Sequence, residues 1–152
     1  MDIDRDGEIK IVSLPFIQTS VRYASMRQIH AAVDHFHRGD FECAATLATA
    51  ACGMLPAIDN AALPASEASS ARIETVRHWL THGTTLDPTT GKSRREESIV
   101  MRTAEVAVAI HVAITRFDIA FPEQRTPQMI GFRRAFQFCK EHTISTPQTA
   151  GR

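Results

Sequence analysis

Hydrophobic positions along this chain recur mainly at helical spacing. From about Ser25 to Arg38, Met26, Ile29, Val33 and Phe36 fall three or four residues apart, which predicts a helix with one apolar stripe. Gly39 supplies a stop, and Asp40 can cap a second helix from Phe41 to about Leu55. That second segment is rich in small residues: Ala44, Ala45, Ala48, Ala50 and Ala51. With Leu47 and Met54 they offer a face that a neighbouring helix can approach closely. A two-residue junction this tight predicts an antiparallel helical hairpin.

Residues 56–69 hold Pro56, Pro64 and several Ser and Ala, the composition of a loop. A third helix is expected from near Ser70, with Ile73, Val76 and Leu80 on one face and Gly83 as its stop. Residues 83–93 read as a second, turn-rich loop. The fourth and longest helix is expected from about Arg94 to Phe121. Ile99, Val106, Ile110, Ile114 and Phe117 line one face of it, and Val100, Ala104, Ala107 and His111 widen the apolar arc, as in the central helix of a bundle. Pro122 ends it. Thr126-Pro127 then reads as a cap with proline at the first helical position, opening a fifth helix that carries Met129, Phe132, Phe136 and Cys139.

Only Glu8 to Leu14 alternates with period two, in a β-branched run that stops at Pro15. One short strand or extended arm makes no sheet alone, so it packs on the helices or pairs with a partner chain. The predicted fold is all-α: a four- to five-helix antiparallel bundle with a short N-terminal extended segment. Residues 1–24 form the arm, 25–142 the bundle and 143–152 a frayed tail. No internal repeat or heptad run interrupts this reading.

Composition agrees with one folded domain. The chain has 152 residues, 43% hydrophobic and 22% charged, enough to bury a core without staples. Seventeen basic and seventeen acidic residues cancel, which argues against a dedicated nucleic-acid coat protein. The balance is uneven, however. Residues 1–60 hold five Lys/Arg against eight Asp/Glu, whereas residues 70–95 hold Arg72, Arg77, Lys92, Arg94 and Arg95 against only Glu74 and Asp87. An anionic ligand is expected at the second region. Cys43, Cys52 and Cys139 form no CxxC pair and read as small buried apolar residues in a reducing compartment. The acidic N-terminus lacks the apolar core of a signal peptide, and Val106 to Ile114, the longest apolar stretch, is too short to span a bilayer. The expectation is a cytoplasmic protein with no membrane contact.

Seven histidines raise the question of a metal. His30, His35 and His37 lie near one another, but HExxH and Glu-x-x-His pairs are missing, so solvated or capping histidines are expected there and no metal. His111, on the apolar arc, reads as a core histidine. Arg38-Gly39-Asp40 spells an adhesion tripeptide and is read as a helix stop followed by a cap. No GxGxxG, Walker loop or GxSxG occurs, and no cofactor is expected.

Arg77-His78-Trp79-Leu80-Thr81-His82 is the constellation suited to chemistry. An imidazole can move a proton to or from a 2′-hydroxyl or a leaving oxygen near neutral pH. A guanidinium can bridge phosphate oxygens and stabilise the charge of the transition state. Arg77 would hold phosphate, His82 would act as acid and base, and His78 would assist by bonding the phosphate or orienting Arg77. The alternative is a basic helix end favoured by the helix dipole, with Trp79 and Leu80 as core anchors.

These residues resemble the HEPN superfamily of helical-bundle proteins, whose motif is Arg, four to six residues, then His. The chain is most similar to a group of uncharacterised bacterial proteins in which a "GDF-x-CA-x-TLA-x-AA" helix precedes an "RNWLKH"-like segment and a long "EE-x-x-x-x-R" helix. Here these are Gly39 to Ala51, Arg77 to His82, and Glu96-Glu97 leading to Arg102, in order over about residues 25–142. His78 stands where Asn is commoner, and Thr81 where a basic residue is commoner. The resemblance implies a homodimer with the motif near its interface, and binding of RNA or a nucleotide or metal-independent RNase activity. The alternative is a non-catalytic homodimeric interaction module, with the small-residue second helix and the arm serving dimerisation or capture of a partner protein.

Overall fold

The computed structural model describes residues 18–57, 67–87 and 89–144. The predicted strand at 8–14, most of the arm, much of the first loop and residues 145–152 lie outside the described residues. The described chain is all-α apart from one small hairpin. Its elements are α1 (Val21–Arg38), α2 (Phe41–Met54), α3 (Glu67–His82), β1 (Thr84–Leu86), β2 (Ser93–Arg95), α4 (Thr103–Ala120), a 3₁₀ turn at Pro122–Gln124 and α5 (Pro127–Ile144).

Helix α1 begins at Val21, four residues before the predicted start, because Ser20 caps it: the Tyr23 N–H donates to the Ser20 hydroxyl at 3.3 Å. The chain leaves α1 through Gly39 at φ 83°, a left-handed position that suits glycine. The Gly39 N–H donates to the Phe36 carbonyl and the Asp40 N–H to the His35 carbonyl, the paired bonds of a Schellman stop. Asp40 occupies the N-cap of α2 but makes no capping bond. Its carboxylate faces His35 Nδ1 at 3.3 Å instead.

The expected small-residue face forms. Ala44, Ala45, Ala48 and Ala51 are buried, and α2 packs chiefly on α1 and α4. Ala50 points outward. Helix α4 is the central element: Val106, Ala109, Ile110, Ala113, Ile114 and Phe117 are all buried, against Ile29 and Val33 of α1 and Met129 and Phe132 of α5 in one core. Burying a side chain of this size contributes about 1.5–3 kcal/mol, so α4 is the largest single source of core stability. His111 is buried as expected and stacks on Phe136 at 4.6 Å. The cysteines depart from expectation: Cys43 and Cys139 are exposed and Cys52 is half-buried.

The main correction concerns residues 83–102. The fourth helix does not start at Arg94; it starts at Thr103, where the Glu105 carboxylate accepts from the Arg102 N–H at 3.0 Å. The preceding residues are used otherwise. Ser93–Arg95 pair antiparallel with Thr84–Leu86, with Thr84 opposite Arg95 and Thr85 opposite Arg94. Asp87 closes the turn, its Oδ1 accepting from the N–H groups of Thr89 and Thr90 at 2.8 and 3.1 Å. Those bonds hold the Asp87 carboxyl below its ordinary pKa. Ladder and side-chain bonds outweigh the helical propensity of Arg94 to Met101.

Candidate functional site

The end of α3 and the hairpin form one unit. Gly83, at φ 66°, turns the chain sharply out of the helix, and its N–H donates to the Trp79 carbonyl at 2.7 Å. The Trp79 indole N–H donates to the Glu96 carbonyl at 2.9 Å, and the Glu96 N–H donates to the Gly83 carbonyl at 3.3 Å. The two bonds fasten the end of β2 to the end of α3. Trp79 is therefore an anchor with its polar edge satisfied, and Leu80 packs partly buried against the core.

This anchor fixes the histidines. His78 and His82 are one turn apart, and their ring centroids lie 4.7 Å from each other. His78 Nε2 lies 3.1 Å from the Thr84 hydroxyl, which holds that ring in place, while His82 is exposed. Arg77 is exposed as well. At about 100° per residue, it lies on the flank next to His78 and about 140° from His82. Thr81, on the Arg77 side, returns its hydroxyl to the Arg77 carbonyl at 2.8 Å.

Sequence reasoning missed Arg95 as a site residue. Register partners project from the same face of a ribbon, so Arg95 shares its face with Thr84, the residue bonded to His78. Among the described residues Arg95 makes no hydrogen bond or ion pair, whereas Arg94, on the other face, pairs with Glu96 at 3.3 Å. The signal available beforehand was the doublet Arg94-Arg95; choosing between its members needed the register. Trp79, Gly83, Arg95, Glu96 and Glu97 line an open cleft of about 710 Å³; neither His78 nor His82 is among its lining residues.

The α1 histidines do not converge. His30 Nε2 lies 2.8 Å from the Thr126 hydroxyl, His35 faces Asp40, and His37 packs edge-on near Phe36 and Phe132. Among the described residues no group of three or more His, Cys, Asp or Glu could hold a metal ion. No helix among the described residues is long and apolar enough to cross a membrane.

No family model matches the chain, and neither a curated protein nor a solved structure matches it.

Proposed function

We propose that this protein binds RNA at the α3–hairpin junction and cleaves it without a metal ion. The observation that carries the reading is the His78–His82 pair at 4.7 Å, with His78 bonded to Thr84, the register partner of the exposed Arg95.

The division of labour follows from the contacts. His78, held by Thr84, orients its neighbour and can bond a phosphate oxygen. His82, exposed, takes the proton of the attacking 2′-hydroxyl or returns one to the leaving oxygen. Arg95 holds the phosphate and offsets the charge that builds in the transition state, while Arg77, turned about 140° from His82 on α3, binds the RNA backbone farther along. Trp79 supplies no stacking platform in this scheme, since its role is to tie the hairpin down. The chain is neutral overall, so binding rests on local cations and weakens steeply with salt.

The test is cleavage of a single-stranded RNA by purified protein in EDTA, with His82→Ala alongside. Cleavage by the wild type and its loss in the variant support the reading; no cleavage, or equal cleavage, sinks it.

A second reading is a non-catalytic homodimeric interaction module. It is favoured by Ile119, Ile130 and Phe138, which stand 58%, 38% and 60% exposed on the last two helices. Sedimentation equilibrium of the wild type and Phe138→Ser decides whether that surface joins two copies.

A further inference from the structure

The other end of α4 holds a second charged cavity, twelve residues past Val106 and so roughly 18 Å along the helix from the contact with α3. At its centre is Asp118, only 6% exposed. One of its oxygens, Oδ2, accepts from Arg133 Nη1 of α5 at 2.5 Å and pairs with Arg125 Nε at 3.4 Å. A cavity of about 260 Å³ opens beside them, with Arg134 on its rim and Ile114, Met129 and Ile130 on its apolar side.

We propose that this cavity is a binding site for a small organic dianion, a phosphate monoester with an apolar body. Three observations lead there. First, the charge does not balance: three guanidiniums and one carboxylate line the cavity, leaving a surplus of two positive charges. A phosphate monoester carries nearly that charge at neutral pH.

Second, the arginines keep unused donors. Each guanidinium has five N–H groups; Arg125 and Arg133 commit only part of theirs to Asp118. The Arg134 guanidinium makes no hydrogen bond or ion pair among the described residues. Asp118 Oδ1 is buried and finds no hydrogen-bond partner among the described residues, so the carboxylate is poorly compensated as a purely structural group. A buried ion pair is a weak stabilising device, because desolvation offsets most of its Coulombic gain. As a positioning residue, Asp118 does something useful: it fixes two guanidiniums before the ligand arrives.

Third, the cavity has both surfaces such a ligand needs. The part-exposed Ile130 accepts an apolar body, over a floor closed by the buried Ile114 and Met129, and the arginines accept the phosphate. Its size admits one small molecule rather than a stretch of polymer, which separates it from the α3–hairpin cleft.

The experiment is calorimetric titration of the full chain with phenyl phosphate, inorganic phosphate and benzoate, repeated with Arg134→Ala. Arg134 takes no part in the Asp118 network, so its removal leaves the fold intact, as circular dichroism would verify. Phenyl phosphate is expected to bind tightest, with inorganic phosphate and benzoate each at least tenfold weaker. Arg134→Ala should weaken phenyl phosphate at least tenfold with an unchanged melting temperature of the free protein. No binding of phenyl phosphate, or binding that Arg134→Ala leaves unchanged, overturns the site. Equal binding of inorganic phosphate overturns the apolar half of the proposal, and equal binding of benzoate the dianion half.

Discussion

The Trp79 indole N–H reaches across to the Glu96 carbonyl at 2.9 Å, and that bond joins the last turn of α3 to the end of β2. Trp79→Phe keeps most of the bulk and deletes the donor. The expected loss is about 1–2 kcal/mol, the net bond plus a carbonyl left without its partner. Urea denaturation measures it. Because the hairpin presents Arg95 and holds His78 through Thr84, the variant should also lose RNA cleavage. A variant with full stability and full activity would show that the hairpin stands without this tie.

Two glycines should respond in opposite directions to alanine. Gly39 has a positive φ and open space around it, so Gly39→Ala meets only backbone strain and costs about 1 kcal/mol. Gly131 lies inside α5, also with open space, so Gly131→Ala is expected to stabilise by roughly 0.5–1 kcal/mol. Denaturant midpoints of the two variants check both signs.

His30 makes stability depend on pH. Burial lowers its pKa below the ordinary imidazole value, only partly opposed by the nearby Asp34 carboxylate. A lowered pKa means that the folded protein takes up the proton less readily than the unfolded chain. Stability is therefore full above about pH 6.5 and falls as the pH drops through the unfolded value, levelling off below the folded one. The His30 contact with Thr126 ties α1 to the start of α5. Melting temperatures between pH 5 and 7.5 should fall on the acid side for the wild type, and less steeply for His30→Gln. Parallel curves would assign the acid sensitivity elsewhere.

Much of this architecture was legible in the sequence because its signals are local. The stop at Gly39, the start at Thr126-Pro127 and the stripe through Ile110, Ile114 and Phe117 each act within a turn or two of chain. The hairpin was not legible. Ser93 to Met101 carries charged and apolar residues that suit a helix, and only the ladder to Thr84–Leu86 and the bonds at Trp79 and Gly83 decide otherwise. Asp40 looked like a cap, but its carboxylate is drawn to His35. At the site, the helical spacing of His78 and His82 could be read directly. Arg95 could not, since its face depends on the register with Thr84. Asp118 sits on the apolar stripe of α4, and its arginines come from a connector and another helix.

The most direct test of the central claim is RNA cleavage in EDTA, read by the end groups produced. The wild type should cut single-stranded RNA to products ending in a 2′,3′-cyclic phosphate and leave the 2′-deoxy analogue intact. His82→Ala should be slower by about a hundredfold or more, the usual contribution of a positioned acid or base, with unchanged folding and binding. Cleavage that persists in the variant, that requires a divalent ion, or that is missing from the wild type would contradict the account.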